Sequence, residues 1–181
     1  MLKSKIRKKF IKLRKQKYRD KLFIDYKIVY TLIKKFKKKN PIIGGYFPVN
    51  HEIDCLNILK KLELNKFKIA LPVIKKNNEM EFYSYSFVDP LKTNGYGIPE
   101  PFLKKKVNPD ILIVPLVAFD SKCYRIGYGG GYYDRYLKKL EKKNFFKSIG
   151  FAFSFQKTKY VPVEIFDKSL NMIITDKKVY K

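Results

Sequence analysis

Histidine and cysteine are almost missing from this chain: of 181 residues, one is histidine, His51, and two are cysteine, Cys55 and Cys123. A single imidazole excludes metal motifs of the His-x-x-x-His kind. No Gly-x-Ser-x-Gly elbow accompanies it, so no Ser-His-Asp triad is suggested. The two cysteines lie far apart without a Cys-x-x-Cys, which encodes neither a zinc site nor a disulfide framework, and a reduced, cytoplasmic chain is the simpler expectation. Long apolar runs are lacking too. The longest, Ile111 to Phe119, is interrupted by Pro115 and falls far short of the ~20 residues of a membrane helix. Acid is scarce, 16 Asp and Glu against 41 Lys and Arg, a formal charge of +25.

That charge admits anionic partners such as nucleic acid, an anionic membrane or a polyanionic small molecule. Arginine is rare within it. Arg7, Arg14, Arg19, Arg125 and Arg135 are the five, and the other 36 basic residues are lysine. Sequence-specific nucleic-acid readers rely on the bidentate guanidinium, so the excess fits solvated lysine faces as well as a binding surface. The first 39 residues carry 17 basic and two acidic side chains and are compatible with any of these. They contain no uninterrupted apolar core and no small-residue cleavage site, which argues against a secretory signal, and their poverty in Arg and Ser argues against a transit peptide.

What the chain does have is enough apolar material for a core. Hydrophobic residues make up 45% and aromatics 16%, and the length suits one domain over residues 1–181. Leu2, Ile6, Phe10 and Leu13 recur at helical spacing, as do Leu22, Tyr26, Val29, Ile33 and Phe36, with Asn40-Pro41 closing this region. Ile42 to Phe47 reads as a strand, and His51 to Leu64 as a helix. Lys68 to Ile74 and Met80 to Phe87 follow as strands, then a proline-rich loop over Asp89 to Pro109. Asp110 to Phe119 reads as one continuous buried strand. After a glycine loop comes a helix on Tyr133, Leu137 and Leu140, and the last strands are Lys147 to Phe153 and Asn171 to Thr175. Helices alternating with apolar strands predict an α/β domain with a largely parallel sheet.

Chemistry concentrates in Arg125-Ile-Gly-Tyr-Gly-Gly-Gly-Tyr-Tyr-Asp-Arg135, where four of the nine glycines fall at Gly127, Gly129, Gly130 and Gly131. Between a buried strand and a helix start, such a loop aims backbone N–H groups at an anion, and the helix N-terminus adds about half a positive charge. Arg125 supplies a planar charged fork beside it. The segment matches neither the Gly-x-x-x-x-Gly-Lys-[Ser/Thr] loop nor the dinucleotide pattern Gly-x-Gly-x-x-Gly, which would need glycine at Tyr132. Asp134, in the first helical turn, suits either helix-end stabilisation or Mg²⁺. Lys3, Arg7 and Arg14 form a row at i, i+4 and i+11 that a bound anion would stabilise, but among 36 lysines the pattern alone reads as a solvated basic face. In the turn Tyr46 to Asp54, Glu52 and Asp54 read as first-turn acids or as acceptors for a donor-rich ring.

Together these stretches resemble one family, 5-formyltetrahydrofolate cyclo-ligase (methenyltetrahydrofolate synthetase). The resemblance runs through Lys3-x-x-x-Arg7, Tyr46-Phe47 to Glu52, Gly97-Ile98-Pro99-Glu100-Pro101, Asp110 to Pro115 with Ala118-Phe119-Asp120, the glycine segment to Asp134, Val161 to Glu164, and Asp167. It implies a single domain of three-layer α/β/α build, with an N-terminal helical segment. It also implies MgATP-driven conversion of 5-formyltetrahydrofolate to 5,10-methenyltetrahydrofolate, with small molecules as the partners and no membrane. By this likeness Lys3 and Arg7, Arg125, Gly127, Gly129, Gly130, Gly131, Tyr132 and Tyr133 are ATP contacts, with Arg125 also catalytic. Phe47, Glu52 and Tyr132 are folate-pocket positions, and Asp134 and Asp167 hold Mg²⁺. A monomer is expected. Tyr128 stands where many members carry a basic residue, Phe166 where a histidine is common, and no glycine follows Pro115. The rival reading is a basic RNA-binding module stacking bases on its 14 tyrosines and 15 phenylalanines. No Lys/Arg-Gly-Phe/Tyr signature supports it.

Overall fold

A computed structural model describes residues 2–18, 22–102, 105–142 and 145–181. Four helices, α1 (Leu2–Lys17), α2 (Tyr26–Lys34), α3 (Leu56–Leu64) and α4 (Tyr132–Leu140), accompany twelve strands. In chain order these are β1 (Ile42–Gly44), β2 (Lys68–Ile74), β3 (Met80–Tyr85), β4 (Leu91–Thr93), β5 (Pro99–Pro101) and β6 (Lys106–Val107). They continue with β7 (Ile111–Pro115), β8 (Ala118–Phe119), β9 (Arg125–Ile126), β10 (Lys147–Ala152), β11 (Met172–Thr175) and β12 (Val179–Tyr180).

Eight strands form the main sheet in the order β12-β11-β10-β7-β1-β2-β3-β6. The five from β11 to β2 run parallel, and β12, β3 and β6 join antiparallel at the margins. Strand alternation builds the layers. Ile111 and Ile113 of β7 pack with Val29, Ile33, Ile58, Leu59 and Leu62 of α2 and α3, while Leu112 and Val114 pack with Tyr136, Leu137 and Leu140 of α4. The α/β/α expectation therefore holds. No helix among the described residues is long and apolar enough to cross a membrane.

Three segments depart from the periodic reading. The run from Asp110 to Phe119 is two strands. Pro115 brings no N–H to the ladder, and the chain leaves the sheet at Leu116, so β8 pairs with β9 in a separate ribbon. Residues 51 to 55 are not helical. Asn50 and His51 take positive φ (49° and 61°), and α3 starts only at Leu56, whose N–H Asp54 accepts at 2.7 Å. Glu52 thus sits in a turn and is no first-turn helix acid. The loop over Asp89 to Pro109 holds the β4–β5 hairpin and β6, and β12 lies beyond the last strand expected. Both cysteines are buried free thiols.

One topological feature positions the chemistry. From β1 the chain runs outward through β2 and β3, then returns to β7 on the other side of β1. Between the C-terminal ends of β1 and β7 the connections diverge, leaving the kind of crevice where α/β sheets bind ligands.

Candidate active site

Every site residue expected from the sequence lies within the described chain: Lys3 and Arg7 on α1, Tyr132, Tyr133 and Asp134 in α4, and the others in the segments that follow β1, β7 and β10. After β1 come Phe47, half-buried, and Glu52, 5% exposed. After β7 the chain passes through β8 and β9 into the glycine loop and α4. Helix α1 packs across these loops, with Phe10 buried against Val117, Ala118, Ile126 and Val161.

The glycine loop is held by arginines. Arg7 Nε donates to the Gly127 carbonyl at 2.7 Å, and its guanidinium lies against Gly129, where a Cβ would come within 3.3 Å of it. Gly129 has φ 105° and Gly131, the residue before α4, has φ 68°, both glycine territory. Arg135, below the loop, donates to the carbonyls of Gly130 (2.8 Å) and Asn78 (2.6 Å). Gly131 at the N-cap of α4 brings no capping side chain, as an anion site at a helix start requires.

Beside the loop two ion pairs interlock. Arg125, 7% exposed, donates to Asp134 Oδ1 at 2.9 Å and to the Lys168 carbonyl at 2.8 Å, while the Lys168 N–H reaches the same Asp134 oxygen at 3.3 Å. Lys3 bonds Asp167 and lies 3.2 Å from Glu164. Burial pulls Arg125 below the ordinary guanidinium value, and the charges of Asp134 and Asp167 oppose it. For Lys3, burial lowers the pKa, but Asp167 and Glu164 outweigh it and the net shift is upward. So two cations and two carboxylates expected at a triphosphate meet here, each cation already engaged by a carboxylate. Two carboxylates with substrate phosphates suit Mg²⁺, which keeps few protein ligands. Among the described residues no third His, Cys, Asp or Glu completes a protein-only metal cage.

Glu52 is buried in the turn that follows β1. Its Oε2 accepts the Val49 N–H at 2.9 Å, and its Oε1 is buried without a partner. Burial raises its pKa to about 7, against the Val49 bond, the Arg14 charge and the Tyr128 hydroxyl, which all pull downward. Of the adjacent tyrosines, Tyr133 sits within reach of the charges of Glu52 and Arg125. Tyr132 instead faces Tyr96 at the β4–β5 hairpin (3.0 Å between hydroxyls) and Asn78 in the turn between β2 and β3 (3.3 Å).

Some participants were not assigned a site role from the sequence. Arg14, read from the pattern as part of a solvated basic face, is instead 1% exposed and donates to the Leu116 carbonyl at 3.1 Å and to the Tyr128 hydroxyl. Arg135 and the Lys168 backbone had no distinguishing spacing at all.

The chain is similar to known proteins over nearly its whole length. The profile of the 5-formyltetrahydrofolate cyclo-ligase family matches residues 1–176. A 5-formyltetrahydrofolate cyclo-ligase of Haemophilus influenzae is 36% identical over 147 residues, 77% of each chain. One from Mycoplasma pneumoniae is 31% identical over 160 residues, 87% of each chain. The NMR structure of Aquifex aeolicus 5,10-methenyltetrahydrofolate synthetase superposes with a TM-score of 0.78 at 31% identity, covering 100% of this chain and 93% of that one.

Proposed function

The chain belongs to the 5-formyltetrahydrofolate cyclo-ligase family, and on that premise we propose that it uses MgATP to convert 5-formyltetrahydrofolate into 5,10-methenyltetrahydrofolate, releasing ADP and phosphate. The observation that carries the reading is the meeting of an uncapped helix start behind four glycines with two cation–carboxylate pairs, beside a buried carboxylate that has one acceptor atom to spare.

The γ-phosphoryl group passes to the formyl oxygen and makes it a leaving group. N10 of the folate attacks the formyl carbon and loses its proton, the C–O bond breaks, and phosphate departs. Such chemistry asks for alignment and charge neutralisation more than for a proton-transferring imidazole. Lys3, Arg7 and the N–H groups from Gly127 to Tyr133 hold the phosphates, and Arg125 offsets charge on the group in transfer. Asp134 and Asp167 would hold Mg²⁺, which supplies further neutralisation. Phe47, Tyr132 and Glu52 line the folate side, with Glu52 Oε1 accepting N–H groups of the pterin.

Mixing the protein with 5-formyltetrahydrofolate and MgATP, and following the near-ultraviolet band of the methenyl product, tests this directly. Growth of the band that requires both ATP and Mg²⁺ is expected. A folded protein that binds ATP but makes no product would refute the folate assignment. One that binds RNA with a steep salt dependence and no nucleotide would put the rival in its place.

Two further outcomes follow. Gly129→Ala forces a side chain into φ 105° against Arg7, and is expected to weaken ATP binding by about tenfold, as a backbone strain of ~1–2 kcal/mol dictates. Glu52 gives a pH signature. With a pKa of about 7 it is mainly neutral at acidic pH and ionised above neutrality, so 5-formyltetrahydrofolate binding should tighten roughly tenfold between about pH 6 and pH 8. The stability effect has the opposite sign. A carboxylate raised from 4.5 to about 7 on folding takes stability away as pH climbs through that window. Glu52→Gln should therefore raise the melting temperature at alkaline pH, by up to ~3 kcal/mol of stability, while losing the pH-dependent part of folate binding.

A further inference from the structure

Among the described residues, two buried side-chain polar atoms have no hydrogen-bond partner, Arg14 Nε and Glu52 Oε1. They come from segments 38 residues apart in sequence, yet both groups act on Tyr128. Arg14 donates to its hydroxyl and lies under its ring, 5.6 Å from the centroid, while the charge of Glu52 bears on the same phenol. We infer that Arg14 is a positioning residue for the folate subsite, a buried cation on α1 that acts through Tyr128 to keep Glu52 an anion facing its substrate. The inference rests on the assignment of Glu52 to folate recognition.

The surroundings of Glu52 leave this task to Arg14. From the β1 end and the turn come Tyr46 and Cys55, and from α4 comes Tyr133, all neutral groups whose pKa values burial raises further. Tyr128 faces it from the glycine loop and is also raised by burial. The adjacent His51 ring turns to Tyr18, 5.3 Å between centroids. Arg14 is the permanent charge in this group, and a guanidinium does not deprotonate in proteins. An ion buried to 1% exposure is costly unless it serves a partner, and the Leu116 carbonyl and Tyr128 hydroxyl leave its Nε unused. Tyr128, itself uncharged, brings that charge into contact with the loop.

The geometry has a second consequence. Lys3, Arg7 and Arg14 belong to one rigid helix, so the element that holds the nucleotide also sets the charge state of the folate pocket.

The experiment is a ¹³C NMR titration of the Glu52 carboxyl in the ligand-free protein, wild type against Arg14→Met, Arg14→Lys and Tyr128→Phe. The Glu52 midpoint should move from about 7 in the wild type to about 8 or above in Arg14→Met and return towards wild type in Arg14→Lys. Correspondingly, 5-formyltetrahydrofolate binding at neutral pH should fall roughly fivefold in Arg14→Met. On a Glu52→Gln background Arg14→Met should leave that binding unchanged. A folded Arg14→Met protein with an unmoved midpoint overturns the inference. Should Arg14→Met not fold, the double variant Arg14→Met/Glu52→Gln, which removes both charges, and Tyr128→Phe decide the matter. Folding of the double variant alone supports the coupling, and an unmoved midpoint in Tyr128→Phe overturns it. A shifted midpoint in a protein that binds no folate would refute the folate assignment and leave the Arg14–Glu52 coupling standing.

Discussion

Arg125→Ala is expected to lower turnover by at least ~100-fold, the scale seen when a charged group stabilising a transition state is removed. The structure sharpens the reason. Arg125 is 7% exposed and ties Asp134 to the Lys168 carbonyl, so it joins α4 to the segment carrying Asp167. On the proposed function, its loss would remove a phosphate partner and free the Asp134 carboxylate from its ion pair. Arg125→Lys keeps the charge without the fork and should recover only part of the loss, because a single ammonium does not hold Asp134 and the carbonyl in one plane. Steady-state turnover, with thermal unfolding measured alongside, checks this. Near-normal turnover in the folded alanine variant would remove Arg125 from the reaction.

Loss of the first half of α1 should abolish ATP use. Lys3 and Arg7 each make a charged bond into the site, worth about 1.5–3 kcal/mol apiece, so the Lys3→Met/Arg7→Met protein is expected to bind ATP at least ~100-fold more weakly, measured by calorimetry. Deleting residues 1–10 goes further. Phe10, 6% exposed, covers Val117, Ala118, Ile126 and Val161, and burying such a ring contributes roughly 1.5–3 kcal/mol. The deletion should therefore lower the melting temperature as well as ATP binding, while the double substitution spares the apolar contact. Unchanged ATP affinity in the double variant would reduce the helix to a basic surface.

How much of this was readable in advance depended on whether the signal was local. The glycine loop declared itself because four glycines between a buried strand and a helix have few other uses. The largely parallel sheet followed from the continuous apolar run of β7 and the helical spacing in α2 and α4, while the three layers came with the family resemblance. The break after Pro115 did not, because apolar residues continue to Phe119 in either arrangement. The first half is claimed by β1 and β10, both distant in sequence, while the second folds onto β9 just after it. His51 to Cys55 looked helical since apolar spacing continues into α3, and the positive φ of Asn50 and His51 leaves no trace in hydrophobic pattern. Arg14 was the largest omission. In a chain with 36 lysines a basic residue beside an apolar stripe reads as solvated, and only the arrival of Leu116 and Tyr128, more than 100 residues later, makes it a buried cation. The departure at Tyr128 changes meaning for the same reason. A loop that lacks a basic residue at that position has a guanidinium bonded to the phenol that replaces it.

The bond from Lys3 to Asp167 joins residues 164 positions apart, and that separation has a consequence for biosynthesis. A ribosome extruding ~5–20 residues per second needs on the order of 10–30 s between the two. For all that time α1 has emerged with its cations and Phe10 facing water, and a partner of opposite charge can occupy it first. A stop codon or a cleavage between β10 and Asp167 leaves six of the eight main-sheet strands in place while taking away the carboxylate that anchors the helix, so such fragments of this chain would be sticky, cationic and inert.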